Sequence, residues 1–221
     1  MLSITLPAGA FLTAWGFLAM NVATPGPNVL NTIALAIGSG RRAGLGAALG
    51  TALGITVWSL GMVLGVSALL ATVPVARTAM TLVAIVLLLW FSSRYLRAAR
   101  SGLIARRRRE PPAPAGRSGV SLQGGLLRSL SILLANPKAL TTWLTLTAIF
   151  PVARAETGDV ALLCLGACAI AGGIHALYAL AFSTPPAARA FLRAAPLINL
   201  GVGLFFGGFA LALAISLARP I

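Results

Sequence analysis

Thr24-Pro25-Gly26-Pro27-Asn28 and Asn136-Pro137-Lys138 each fall in the middle of an apolar stretch, residues 8–38 and 121–150. Each stretch is about 30 residues long, whereas a helix needs ~20 to cross a bilayer. Neither half is comfortably long enough to cross alone. Proline lacks the amide proton that a helix interior requires, so each stretch reads as one discontinuous helix. Four further segments, roughly 43–71, 78–97, 160–182 and 196–218, are apolar without such a break.

Composition agrees with this reading. Hydrophobic residues make up 58% of the 221 residues and charged residues only 9%. A soluble domain of this size cannot hide so much apolar surface. The expected class is an all-α polytopic membrane protein of six hydrophobic segments, the first and fourth broken at proline motifs.

The net charge of +14 raises the question of a nucleic-acid binder. The distribution of charge excludes it. Residues 1–40, 43–76, 78–93 and 194–218 contain no Asp, Glu, Lys, Arg or His. The basic residues lie between the apolar stretches, as in loops flanking membrane spans. With the N-terminus outside and every segment crossing, 13 arginines fall inside and three, Arg77, Arg154 and Arg219, fall outside. The expected topology is N-out and C-out, with the basic loop cytoplasmic. Met1-Leu2-Ser3-Ile4-Thr5 has no positive region of a signal peptide, so the first segment is expected to be retained. Arg106-Arg107-Arg108-Arg109 opens a Pro- and Gly-rich linker and would attract anionic lipid, or act only as a topology anchor.

The halves also resemble each other. Pro25 and Pro137 are 112 residues apart, and the same offset pairs Gly54 with Gly166 and Gly61 with Gly173. It also aligns residues 72–77 with 184–189, with four identities in six. An odd number of crossings per copy inverts the second copy in the membrane. The expected organisation is a first repeat over 1–97, a basic cytoplasmic linker over 98–120 and a second repeat over 121–221. Inverted repeats with paired broken helices are a transporter signature, and the breaks point to the substrate site.

Thr24 before Pro25, and Asn136 before Pro137, have the form of an N-cap followed by proline at the first helical position. Helix starts of this kind suit a carboxylate. Gly26 permits close approach of a ligand, and Asn28 and Asn31 offer donors and acceptors. Lys138, the only lysine, either pairs with a substrate carboxylate or is structural, snorkelling to an interface or satisfying carbonyls freed by a break. His175, the only histidine, is a candidate proton carrier or a structural hydrogen-bonding residue. Glu110, Glu156 and Asp159 are all expected in loops. Cys164, Cys168 and His175 share a helical face, but the histidine is ~10 Å along the axis from the nearer cysteine. No metal site and no cofactor are expected. Nor does the chain offer a carboxylate cluster or a nucleophile with a base in reach, so no enzyme is expected. Gly46, Gly50 and Gly54, with the pairs Gly61/Gly65 and Gly203/Gly207, suit close helix packing and permit a homodimer.

Thr24-Pro25-Gly26-Pro27-Asn28, Gly40-Arg41-Arg42-Ala43-Gly44 and Asn136-Pro137-Lys138, in that order, closely resemble the LysE/RhtB amino-acid exporter family. The resemblance covers essentially the whole chain. It implies export of amino acids or close derivatives across the bacterial inner membrane, linked to the proton-motive force. It singles out Thr24, Pro25, Gly26, Pro27, Asn28, Asn136, Pro137 and Lys138. Many relatives carry an acidic or histidine side chain after a glycine of the second span, where this chain has Gly54 followed by Ile55-Thr56-Val57-Trp58. No carboxylate for a substrate ammonium is therefore expected there. The competing readings are a passive channel for a small solute or ion and a non-transporting partner of another complex.

Overall fold

The structure is a computed structural model of the chain and describes residues 3–62, 65, 73–108, 119–151 and 154–218. Those residues carry eight α-helices and no strand. The first break separates α1 (Ala8–Ala23) from α2 (Pro27–Ser39). Next come α3 (Arg41–Gly61) and α4 (Pro74–Arg107). The second break separates α5 (Leu122–Leu134) from α6 (Pro137–Ile149), and α7 (Thr157–Phe182) and α8 (Pro185–Ala218) complete the chain. Four of these helices, α3, α4, α7 and α8, are long and apolar enough to cross a membrane. Helix α1 has 16 residues and α2, α5 and α6 have 13 each. At 1.5 Å per residue, each of those four is shorter than the ~30 Å hydrocarbon core.

The local causes of the two breaks differ. Proline restricts the preceding residue to extended backbone, and Thr24 lies at φ −67°, ψ 130°. Its hydroxyl turns back and donates to Met20 O at 2.8 Å, so Thr24 ends α1. Gly26 is the N-cap of α2, and Pro27 takes its first turn. The expected roles of Thr24 as N-cap and Pro25 as first helical residue are thus corrected by two positions. At the second break Asn136 is the N-cap, its Oδ1 accepting from the Lys138 backbone N–H at 3.0 Å, and Pro137 occupies the first turn.

Other boundaries move as well. Helix α4 continues to Arg107, ten residues beyond the expected end of the first repeat at 97. Helix α8 begins at Pro185 and carries Pro196 inside it. Gly102 of α4 makes room for that ring: a Cβ there would lie 2.8 Å from Pro196 Cγ. Asp159 is corrected from loop to the first turn of α7, where it is fully buried. Its carboxylate accepts from the backbone N–H groups of Thr5, Leu6 and Glu156 and from the Thr5 hydroxyl, at 2.8–3.1 Å. These bonds strap the N-terminal segment to α7. Glu156 accepts from the Ser3 hydroxyl. Residues 109–118, with Arg109, Glu110 and Arg117, lie outside the described residues, as do Thr72 and Arg219.

Packing follows the small residues. Helix α3 lies against α5 and α7, and α4 pairs along its length with α8. Cβ atoms at Gly46 and Gly50 would collide with the Leu122 and Leu126 carbonyls, and one at Gly125 with the Ala43 carbonyl. Backbone therefore touches backbone between α3 and α5, the close approach that small-residue spacing allows. Gly203 and Gly207 face Leu96 and Ser92 of α4. Among the described residues Gly61 and Gly65 meet nothing within 4 Å. A central core joins Phe11, Leu18, Ile55, Trp143, Leu146 and Leu163 from four helices. Large apolar side chains such as Val86, Leu165, Leu177 and Leu211 face outward, a surface suited to lipid.

Candidate functional site

Both breaks open on one cavity. Leu18, Asn21, Val22, Thr24, Gly26, Asn28, Val29, Thr51, Ile55, Leu133, Asn136, Lys138, Ala139, Thr142, Trp143 and His175 line it. Six of the residues expected from sequence therefore meet there: Thr24, Gly26, Asn28, Asn136, Lys138 and His175. Pro25, Pro27, Asn31 and Pro137 do not line it; they shape or flank the helix ends. The cavity volume is about 40 Å³, room for roughly three waters.

Helix ends explain the position of Lys138. The last carbonyls of a helix have no partner within it and carry partial negative charge. Lys138 Nζ donates to Asn21 O at 2.7 Å and to Thr24 O at 3.1 Å. Tyr178 donates its hydroxyl to Ala23 O at 2.8 Å. One cation and one phenol thus close the C-terminal end of α1. Of the two sequence readings of Lys138, the satisfaction of freed carbonyls is realised here. An ammonium has three donors, two of which go to these carbonyls. The C-terminal end of α5 is served in turn by Trp58, whose indole donates to Leu133 O at 3.1 Å.

A polar chain leads from the cavity along α2. Asn28 Nδ2 donates to Thr51 Oγ1 at 3.1 Å and to Ser129 O at 3.2 Å. Thr51 and Ser129 hydroxyls are 2.9 Å apart. Thr32 Oγ1 lies 3.0 Å from Asn28 O and 2.7 Å from His175 Nδ1. Thr32 has one hydroxyl proton. Donating it to Asn28 O leaves its oxygen to accept from Nδ1–H of His175, so the network selects the tautomer with an open lone pair on Nε2.

Some polar atoms remain unmatched. Asn28 Oδ1, both amide atoms of Asn31 and the indole nitrogen of Trp143 are buried without a partner among the described residues. Each such atom costs about 1–3 kcal/mol, and such exceptions in a folded interior call for a reason.

Asn21, Thr51, Ser129, Thr142, Trp143 and Tyr178 were not among the site residues expected from sequence. Thr142 is four residues after Lys138 and Tyr178 three after His175, so helical spacing alone places each on its neighbour's face. Cys164 is buried and Cys168 half-buried, both free. Among the described residues no group of three His, Cys, Asp or Glu side chains is placed to hold a metal ion.

The family model described as LysE type translocator matches residues 9–217. No curated protein and no solved structure matches the chain. The chain belongs to the LysE type translocator family, whose members are membrane transporters of small molecules and not enzymes.

Proposed function

We propose that this LysE type translocator exports amino acids or closely related small metabolites across the bacterial plasma membrane, in exchange for inward movement of protons. The observation that carries the reading is the shared cavity: two broken helices turn their ends to one small, mostly apolar space into whose wall Lys138, Asn28 and His175 are set. Discontinuous helices survive in hydrocarbon only where protein or a wet cavity solvates their ends. A half-buried lysine beside such ends marks a substrate or ion path. The substrate-binding set we propose is Thr24, Pro25, Gly26, Pro27, Asn28, Asn31, Asn136, Pro137 and Lys138, with His175 accepting the coupling proton.

The mechanism is alternating access between two inverted repeats. Its support is reciprocal packing: α1 lies on α7 as α5 lies on α3, while α3 pairs with α7 and α4 with α8. Among the described residues α5 is packed more extensively on α3 than α1 on α7, and α2 more on α3 than α6 on α7. With the N-terminus outside, α2 and α5 are the cytoplasmic halves of the broken helices. This conformation is then the one shut toward the cytoplasm. The cavity volume of about 40 Å³ is far too small for an amino acid, so loading requires movement of the walls. Anionic lipid is the second partner: a groove of about 290 Å³ between α4 and α8 joins Leu96, Leu103, Ile104 and Leu200 to Arg100 and Arg107.

The test is efflux from cells loaded with each proteinogenic amino acid in turn, with and without expression of the protein. Saturable, proton-dependent efflux of at least one of them, with counterflow in vesicles, is the expected result. Non-saturating flux without counterflow would establish a channel, and no flux of any amino acid would remove the reading.

A further inference from the structure

We infer that Trp143 is a specificity-determining residue of the transport site, its indole N–H reading the carboxylate of the substrate beside the Lys138 ammonium. The inference rests on the amino-acid reading above and deepens it.

The other tryptophans supply the comparison. Trp15 donates its indole proton to Leu163 O at 3.3 Å and Trp58 to Leu133 O at 3.1 Å. Trp90 is exposed, with the Arg94 guanidinium 4.9 Å from its ring centroid. The fold thus pairs the indoles it packs between helices. Trp143 is the exception: it is 0% exposed, it lines the cavity, and its nitrogen has no partner among the described residues. Buried tryptophan normally finds an acceptor for this proton. An indole nitrogen only donates, so its missing partner is an acceptor.

Three observations identify that acceptor as an anionic oxygen of a ligand. The ring sits on α6, five residues after Lys138, and both side chains line the same cavity. The described carboxylates lie elsewhere, Glu156 and Asp159 being engaged with the N-terminal segment. The opposite kind of atom is also unpaired there: Asn28 Oδ1, on another cavity wall, only accepts and has no donor. A cavity with an ammonium and a spare N–H donor, and a spare acceptor on a residue of another helix, matches the two ends of an α-amino acid. The carboxylate takes Trp143 and Lys138; the ammonium takes Asn28 Oδ1. Both unpaired atoms are closed off here, so each reaches substrate when the walls part.

The test uses purified protein in proteoliposomes and two probes, the amino acid exported fastest in the cell assay and its carboxamide. Wild type is expected to prefer the amino acid. Trp143→Phe keeps most of the ring but removes the N–H. Its KM for the amino acid should rise roughly tenfold, the size of a lost bond to a charged group. Its KM for the carboxamide should change far less, narrowing the preference. Trp143→His, which restores a ring N–H, should recover part of the discrimination. Trp15→Phe loses a structural indole bond and should keep the wild-type preference. If the two probes respond equally to Trp143→Phe and Trp143→His, or if the preference survives both, the assignment is wrong. Should Trp143→Phe not fold, Trp143→Leu, which also lacks the N–H, takes its place: a narrowed preference supports the N–H role, and a wild-type preference overturns it. Wild type that moves neither probe would strike the amino-acid reading itself rather than this residue.

Discussion

Lys138 holds two carbonyls at the end of another helix; Asn21 O also accepts from the Thr24 backbone N–H, whereas Thr24 O has no second partner among the described residues. Replacing it by Met leaves Thr24 O unpaired and Asn21 O with only the 3.2 Å bond from the Thr24 N–H. The expected cost is about 1–3 kcal/mol, seen as a lower thermal midpoint in detergent. Lys138→Arg, which keeps a donor and a charge, should recover part of it. If the proposed site is right, Lys138→Ala also weakens substrate affinity by more than its loss of expression explains. An unchanged midpoint with wild-type transport would remove Lys138 from both roles. His175 is the other titratable group on the cavity wall that the sequence singled out. Its Nδ1 is engaged by Thr32, so a coupling proton must arrive at Nε2. Export driven by inward protons should accelerate as the outside is acidified, and His175→Ala should flatten that response. A wild-type pH curve in the variant would discard the proton role.

At the scale of the helix, the decisive contacts are those where a side chain is missing. Gly46 and Gly50 let α3 touch the backbone of α5, and Gly61 on the same helix meets no described residue within 4 Å. Opposite outcomes are expected on adding a methyl. Gly50→Ala should force the pair apart and destabilise by about 1–3 kcal/mol. Gly61→Ala should be neutral or stabilise by up to about 1 kcal/mol, since glycine is a poor helix former. Denaturation in mixed micelles distinguishes them, and equal effects would contradict the packing. These same elements show what the sequence could tell. The breaks, the small-residue ladder and the Asn136 cap were legible because each is a local rule about proline, glycine or asparagine. The first break was misread by two residues because two X-Pro pairs fit the same capping pattern, and only the turn-back of Thr24 to Met20 chose between them. The end of α4 was missed because hydropathy stops at Arg97 while the helix continues to Arg107. Asn28 meeting Ser129, 101 residues away, was beyond reach. One sequence carries no register between distant helices.

Across the whole molecule, direction of transport depends on which ends of the helices face the cytoplasm. The family and the four long apolar helices make this a multi-pass membrane protein; the orientation rests on arginine placement. Helix α7 runs from Thr157 to Phe182, and Thr184 follows its far end. Both threonines are exposed, and neither touches the cavity. In a background with Cys164 and Cys168 replaced by serine, a cysteine at Thr157 should react with a membrane-impermeant maleimide in intact spheroplasts. A cysteine at Thr184 should react only after permeabilisation. The same orientation sets α2 and α5, the latter in backbone-close contact with α3, on the cytoplasmic side, and the Lys138 and Tyr178 clasp on α1 at the junction with the outer half. A carrier resting in that state binds its cargo only after α2 and α5 loosen, so Gly46 and Gly50 lie on the gate facing the cell interior. Reversed labelling would turn the gate around: the loosely packed halves would then face the cytoplasm, and the same packing would describe a protein ready to load.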